Sequence, residues 1–279
     1  MKYLKCIFLL FWAVQVTAFA QTPCDDINTA LLKIDKLIVD GKLDQALTAL
    51  KKIKNDPNVR NCDNMKVVEY KIKDIESKMP QNSMTPQQMR DLGADYYYGT
   101  NGKAKDYAEA VKWLRKAAEQ GNASGQSFLG YMYQYGLGVS KDYAEAVKWY
   151  RKSAEQGYAG GQNGLGYMYQ YGLGVSKDYS EAVKWYRKSA EQGDAAAQSN
   201  LGYMYQYGLG VSKDYAEAVK WYRKAAEQGN AIAQSFLGHM YENGYGVTKN
   251  LTEAKKWYEK AAAQGNEYAK GRLKVLNGH

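Results

Sequence analysis

Histidine, proline and cysteine are scarce in this chain of 279 residues, and each shortage excludes a kind of structure or chemistry. The two histidines, His239 and the C-terminal His279, are too few for a histidine-based catalytic set. All four prolines lie at or before Pro86, so helices beyond that point run uninterrupted. Zinc-peptidase, phosphate-loop and EF-hand motifs are absent. We therefore predict a protein that is not an enzyme and that needs no cofactor or metal.

Long apolar runs are also missing, but a short one stands at the N-terminus. Lys2 and Lys5 precede the apolar stretch Cys6–Val16, and Ala18-Phe19-Ala20 supplies a cleavage site, so residues 1–20 have the pattern of a secretory signal peptide. A membrane-spanning helix needs about 20 apolar residues, and this stretch is shorter. We predict an exported protein without a membrane span, periplasmic or secreted from a bacterial envelope.

Two cysteines, Cys24 and Cys62, would remain after removal of the signal peptide. An even pair in an exported chain favours a disulfide, because the compartments outside the cytoplasm are oxidising. Two independent buried thiols are the alternative. A metal site is not indicated, since two widely separated cysteines lack ligand partners.

The formal net charge of +9 is spread along the chain without a dense basic stripe. Basic and acidic residues alternate within each helix, which is typical of a solvated helix face. We therefore expect no nucleic-acid partner, and a weak attraction to anionic envelope glycans is left as an alternative.

The N-terminal part of the mature chain, residues 21–79, predicts a small helical region. Apolar residues recur at helical spacing in three stretches that begin at Ile27, Leu43 and Met65. The second stretch, GKLDQALTALKKIKNDPN, is similar to the second half of a tetratricopeptide repeat. Residues 80–87 are then a polar linker between two prolines.

A 29-residue stretch occurs three times, at 129–157, 165–193 and 201–229, and only two of its columns differ. A catalytic centre is needed once and combines unlike residues, whereas a triplicated surface suggests a ruler or a binding rail. Five tryptophans at intervals of 36 residues mark the full extent of the repeat: Trp113, Trp149, Trp185, Trp221 and Trp257. Such a period predicts a solenoid of stacked units with tryptophans in its core.

Each unit contains the start and stop signals of two helices. Gly121 ends one helix and Asn122 caps the next, while Gly138 helps to turn the chain between the two helices. Asp142 followed by Glu145 resembles a capping box at the start of the second helix. We predict five repeats over 88–266 and a capping helix over 267–279, which makes the fold class all-α: a right-handed α-solenoid of antiparallel helix pairs, preceded by the small helical region.

A helical wheel separates a core face of the first helix from a surface face. The core face is predicted to hold Gln126, Leu129, Gly130, Tyr133 and Leu137. The opposite face carries two positions per unit that hold tyrosine in the three middle units and histidine and asparagine in the last unit. These residues are Tyr131, Tyr135, Tyr167, Tyr171, Tyr203, Tyr207, His239 and Asn243. Three glutamines are predicted to flank this set: Gln134, Gln170 and Gln206.

First helices of such solenoids line the concave surface, where partners bind. Tyrosine offers rigid amphipathic area at a low entropic cost, so we predict that this face holds a protein or peptide partner, with an envelope glycan as an alternative. The other interpretation is that the rings pack between units and serve only the structure.

The repeat resembles the Sel-one-like repeat (SLR), a relative of the tetratricopeptide repeat. The residues that carry the resemblance in one unit are Leu129, Gly130, Tyr133, Gly136, Gly138, Val139, Asp142, Ala146, Trp149, Tyr150, Ala154 and Gly157. The similarity covers roughly residues 86–279, with Leu114 in place of the tyrosine of the Trp-Tyr pair in the first unit. It implies an adaptor that assembles protein complexes, often in bacterial envelopes.

One branch of that family is rich in cysteine and is linked to β-lactam hydrolysis. This chain fits that branch poorly, because no cysteine follows Cys62 and the S-x-x-K, S-D-N and K-T-G motifs are absent. The leading hypothesis is therefore an exported, non-enzymatic scaffold for protein–protein interactions, and the alternatives are an envelope hydrolase of the β-lactamase-like branch or a glycan-binding module.

Overall fold

A computed structural model describes residues 24–57, 62, 64–78 and 84–278, and side chains at 24–26 and 77–78 are outside this description. Fourteen α-helices and no strand occur in these ranges. The chain divides into two compact units at Met84 and Thr85. The predicted signal peptide, residues 1–20, lies outside the described residues.

The N-terminal unit contains three helices, α1 (Cys24–Val39), α2 (Leu43–Asn55) and α3 (Met65–Lys78). Helix α2 packs against both of the others, and the side chains of Ile34 and Ile75 are buried in the core of the unit. The helical spacing of apolar residues in the sequence accounts for all three helices.

Cys62 precedes α3 and is disulfide-bonded. The side chain of Cys24 lies outside the described residues, so the pairing of Cys24 with Cys62 stays a prediction.

The C-terminal unit consists of five helix pairs and a last single helix: α4 (Pro86–Tyr98) with α5 (Tyr107–Glu119), α6 (Ala123–Tyr135) with α7 (Tyr143–Glu155), α8 (Ala159–Tyr171) with α9 (Tyr179–Glu191), α10 (Ala195–Tyr207) with α11 (Tyr215–Glu227), α12 (Ala231–Asn243) with α13 (Leu251–Ala263), and α14 (Glu267–Leu276). Each helix packs against its neighbours in the chain, so the pairs stack into an all-α repeat solenoid. This is the predicted fold class.

The helix starts are capped largely as the sequence predicts. The side chain of Asn122 accepts a hydrogen bond from the backbone of α6, and that of Asp142 accepts two from the backbone of α7. The predicted capping box at Asp142 is incomplete, because the carboxylate of Glu145 accepts from Lys148 Nζ at 2.7 Å instead of returning to the cap. A side-chain ion pair one turn away therefore replaces the reciprocal bond.

Within a pair, an aromatic ring of the second helix packs directly on a glycine of the first. Tyr186 is fully buried, and a Cβ added to Gly166 would lie 2.8 Å from its ring. The same contact is present in three further pairs: Gly130 with Tyr150, Gly202 with Tyr222, and Gly238 with Tyr258. In the first pair, Leu114 packs on Gly93 in place of a ring. Because any side chain at the glycine would push the ring away, the Leu-Gly and Trp-Tyr columns of the repeat depend on each other.

Tryptophans pack into the core as predicted, although Trp185 is only half-buried. Trp149 of α7 packs with Leu129 and Met132 of α6, and with residues of α5 from the preceding pair. The predicted inward position of Tyr133 is confirmed only in part: its ring packs against the cores of two repeats but is half-buried, and its hydroxyl accepts from Arg115 Nη2 at 2.6 Å. Because α6 is packed against both α5 and α7, the buried stripe centres on Leu129 and Met132, and Tyr133 lies at its edge.

The turn inside each pair contains a glycine that contacts the previous repeat. Gly174 has φ 67°, and a Cβ there would lie 2.3 Å from the carbonyl oxygen of Tyr143, at the start of α7. Glycine is therefore required twice, by the left-handed backbone and by the close approach. The same geometry holds at Gly138, Gly210 and Gly246.

We expect Gly174→Ala to lower the free energy of unfolding by about 1–3 kcal/mol or more, because backbone strain and steric overlap add. Gly157→Ala is the matched control, since Gly157 also has a positive φ of 85° but nothing lies within 4 Å of its added Cβ. Urea unfolding followed by circular dichroism compares the two variants. Equal losses would show that the contact with Tyr143 contributes nothing.

Candidate binding surface

The first helices of the pairs lie on the inner side of the solenoid. At the steps from α4 to α6 and from α6 to α8 the first helices contact each other directly, whereas consecutive second helices in the described unit do not come as close. The closer approach at these two steps curves that part of the stack toward the first helices, and we take their side as the concave one. We call the predicted set on this side the tyrosine face: Tyr131, Tyr135, Tyr167, Tyr171, Tyr203, Tyr207, His239 and Asn243.

Three pairs of tyrosine rings, tilted at 45–47° to each other, repeat along the tyrosine face, one in each of the middle repeats. The ring centroids lie 4.6 Å apart for Tyr131 and Tyr135, and 4.5 Å apart in the two following pairs. The outer ring of each pair is about half exposed, at 50% for Tyr135, 54% for Tyr171 and 51% for Tyr207. The outer rings are therefore available for contact at regular intervals.

The inner ring of each pair also belongs to the structure. Tyr167 and Tyr203 are half-buried and pack against the cores of two neighbouring repeats. Tyr203, for example, meets Phe236 edge-on at 6.1 Å. The two interpretations of the tyrosines thus apply to different rings, the outer ones being exposed and the inner ones being packed between repeats.

The hydroxyls of the three outer rings stay protonated well above neutral pH. Partial burial, with the neighbouring Tyr167, raises the pKa of Tyr135, and burial likewise raises the pKa of Tyr171 and of Tyr207. Burial favours the neutral form of a phenol, so the hydroxyls remain neutral donors and acceptors of hydrogen bonds. This surface is suited to a polar, uncharged contact.

The glutamines predicted to flank the tyrosine face are in fact buried. Gln134, Gln170 and Gln206 accept hydrogen bonds through Oε1 from the buried tyrosines of the second helices, at 2.8, 2.6 and 2.7 Å. Their position as surface contacts is therefore corrected, because a buried phenol needs an acceptor and the carboxamide is the nearest one. The sequence of the first repeat already indicates this pairing of tyrosine and glutamine. Leu114 stands there in place of the tyrosine and has no hydroxyl, and Tyr97 stands in place of the glutamine.

The last repeat departs from the tyrosine pattern and joins the capping helix. His239 and Asn243 replace the ring pair, and Asn243 Nδ2 donates to the carbonyl oxygen of His239 at 2.9 Å. Tyr268 of α14 places its hydroxyl 3.1 Å from His239 Nδ1. Burial lowers the pKa of His239, against the opposing effect of Glu242, which favours a neutral imidazole. This end of the face is occupied by contacts within the chain.

Glu242 stands where the middle repeats carry glutamine, and it adds an ionic contact. Its carboxylate accepts from Tyr258 at 2.8 Å and pairs with Arg272 of α14. Burial alone would raise the pKa of Glu242, but the bonds from Arg272 and Tyr258 outweigh burial and lower it. The charged pair ties the single helix α14 to the last repeat.

Within the part of the chain that the structure describes, no group of three or more His, Cys, Asp or Glu side chains is arranged to hold a metal ion. None of the helices described is long and apolar enough to cross a membrane.

The stacked helix pairs, with rings on glycines and a face of tyrosines, define an α-solenoid of the tetratricopeptide-like class. Five matches to the Sel1 repeat, the SLR of the sequence analysis, cover residues 89–122, 123–158, 159–194, 195–230 and 231–266. The chain belongs to the Sel1 repeat family.

Solved structures of Sel1 repeat proteins resemble the chain closely. One is c5321 of uropathogenic Escherichia coli, described as a protective antigen displaying an SLR fold, with 38% identity and a TM-score of 0.67 over 87% of this chain. The match takes in 50% of c5321, so the chain spans half the length of that protein. Another is a Sel1 repeat protein of Oxalobacter formigenes, with 34% identity, a TM-score of 0.64, and coverage of 88% of this chain and 87% of that one. No curated protein matches the chain in sequence.

We expect Tyr186→Phe to destabilise the protein by about 1–3 kcal/mol, because it leaves the buried Oε1 of Gln170 without its donor. Tyr207→Phe is the matched control, since it removes a hydroxyl from a half-exposed ring and should change stability by less than about 0.5 kcal/mol. Chemical unfolding of both variants measures the difference. If Tyr207→Phe is as damaging as Tyr186→Phe, the buried bond is not what stabilises the pair.

Proposed function

We propose that this protein is an exported, non-enzymatic scaffold that holds a protein partner against its tyrosine face. Sel1 repeat proteins are in general scaffolds for protein–protein interaction. The observation that supports the tyrosine face as the site is the row of half-exposed outer rings at Tyr135, Tyr171 and Tyr207. Exposed aromatic residues at regular spacing on a concave surface are typical of a partner-binding site.

The opposite helices offer a less suitable surface. Their exposed faces carry lysines that are already paired within the helix, such as Lys184 with Glu181 and Lys220 with Glu217. A partner would have to compete with these ion pairs and order long flexible side chains, which lowers affinity. Tyrosine rings need no such displacement, so the concave side is favoured.

Site-specific photo-crosslinking tests this proposal. The photo-reactive residue p-benzoylphenylalanine would replace Tyr171, Tyr207 or, as the control, Lys220, whose side chain is 55% exposed and thus as accessible as the two rings. We expect one partner protein, identified by mass spectrometry from cells of the source organism, to crosslink at positions 171 and 207 and not at position 220.

Binding of that purified partner should then weaken roughly tenfold for Tyr171→Ala, the size of effect that marks an interface hot spot. Lys184→Ala, on the second helix of the same repeat, should leave the affinity unchanged. Crosslinks confined to position 220, or equal affinities for the two variants, would exclude the tyrosine face as the binding surface.

Export makes a separate prediction, which rests on the pattern of residues 1–20. Protein recovered from the producing cells should begin at Gln21, and non-reducing peptide mapping should join Cys24 to Cys62. Intact mass and peptide mass spectrometry measure both. A cytoplasmic chain that retains Lys2 and Lys5 would contradict export.

A further inference from the structure

A pocket of about 480 Å³ opens on the concave side where the second and third repeats meet. Its volume is in the range of ligand sites, roughly 300–1,000 Å³. Eight of its fourteen lining residues are aromatic, and the other six are serine, glycine, asparagine and glutamine. No charged side chain lines it. The pocket is thus a set of ring faces with a few neutral polar groups.

The third repeat departs from its sister repeats at the positions that form one wall of this pocket. Tyr158 replaces the Asn or Asp that caps the equivalent helix elsewhere, and it makes no side-chain cap bond. Gly160 and Gly164 replace larger residues, the latter standing where the second and fifth repeats carry Phe128 and Phe236. A lost cap costs about 0.5–2 kcal/mol, and each glycine inside a helix about 0.5–1 kcal/mol relative to alanine. We therefore expect helix α8 to be less stable than the equivalent first helices of the other repeats.

These departures have direct effects on the shape of the wall. A Cβ on Gly164 would lie 2.4 Å from the ring of Tyr150, and one on Gly160 would lie 2.8 Å from the ring of Tyr158. Both glycines therefore leave room for rings that line the pocket. The hydroxyl of Tyr158 lies 3.3 Å from Ser124 Oγ, which holds its ring across the junction.

Two carboxamide side chains, those of Gln134 and Asn163, line the pocket. Gln134 is only 7% exposed, and its Oε1 already accepts from Tyr150. Asn163 Oδ1 likewise accepts from Asn200 Nδ2 at 3.0 Å. Neither carboxamide nitrogen donates to any residue in the described part of the chain. Both nitrogens are therefore available as donors, while each oxygen already accepts one hydrogen bond.

We propose that this pocket binds a proline-rich segment of the partner in the polyproline II conformation, an inference that rests on the proposed function of the tyrosine face. A proline residue offers a carbonyl acceptor and has no N–H, so it can accept from the carboxamide nitrogens of Gln134 and Asn163 and leaves no donor of its own unpaired. Its ring packs against aromatic side chains, and the helix is preformed, so binding costs little conformational entropy. One turn of three residues is about 9 Å long.

The same observations disfavour other ligands. A charged ligand would be left without a counter-charge, since no charged side chain lines the pocket. Burial raises the pKa of Tyr150, so its hydroxyl stays protonated and keeps donating to Gln134.

Fluorescence anisotropy of the full-length protein with a fluorescein-labelled decaproline tests the proposal. A peptide of equal length with alternating glycine and serine is the matched uncharged control. We expect saturable binding of decaproline and none of the control peptide. Tyr158→Asn restores the cap of the second and fifth repeats, so it should raise the thermal midpoint and yet weaken decaproline binding about tenfold, as loss of an aromatic anchor does.

Two further variants separate the pocket from general effects on folding. Gln134→Glu keeps an acceptor for Tyr150, as Glu242 does for Tyr258, but removes the donor, and it should weaken decaproline binding. Ser180→Ala changes an exposed residue of α9 to the residue found in three sister repeats and should leave binding unchanged.

Three results would overturn the inference: no binding of decaproline, equal binding by Tyr158→Asn and the parent protein, or displacement of decaproline by chitohexaose at the same site. If partner crosslinking at position 207 persists while decaproline fails to bind, the proposed function stands and only the pocket assignment fails. If decaproline fails to bind and no partner crosslinks at positions 171 and 207, both the pocket assignment and the proposed function are wrong.

Discussion

A ring packed on a glycine holds together four of the five helix pairs in the solenoid, and a leucine takes the place of the ring in the first. Tyr186 approaches the backbone of α8 because Gly166 has no side chain, and its hydroxyl reaches Gln170 on the same helix. The contact buries a large apolar area and satisfies the only polar group of the ring, so neither part works without the other. In the first repeat both residues of the hydrogen bond are replaced together: Leu114 stands in place of the tyrosine and Tyr97 in place of the glutamine.

A second set of contacts joins one repeat to the next and fixes their relative position. Gly174 rests on the carbonyl of Tyr143, and Arg151 Nη2 donates to the hydroxyl of Tyr169 at 2.8 Å. Because near-identical repeats use the same joints, each step repeats the same displacement, and exposed residues recur at a constant interval. The regular row of outer tyrosines follows from these joints and not from any contact among the outer rings of different repeats.

The third repeat shows where regularity is given up. Tyr158, Gly160 and Gly164 weaken α8 locally, and together they form a wall of the aromatic pocket at its junction with the second repeat. Proteins commonly give up local stability at binding sites, where the geometry needed for a ligand differs from the one that packs best. A lining without charged side chains favours an uncharged ligand on this side of the solenoid.

The sequence by itself determined the helix pairs, their turns and caps, and the family, because glycine, capping and hydrophobic signals act over a few residues and recur five times. It also placed the outer tyrosines on a common face. Only the tertiary structure decided how far the polar residues are buried: Gln134 was predicted at the surface and is buried, whereas Tyr133 was predicted in the core and lies half-buried at its edge. A helical wheel describes one helix alone, whereas α6 is packed against neighbours on several sides. The hydrogen bond from Tyr150 to Gln134 joins two helices, so the pattern of a single helix does not predict it. The pocket likewise depends on side chains from three helix pairs, which no local pattern brings together.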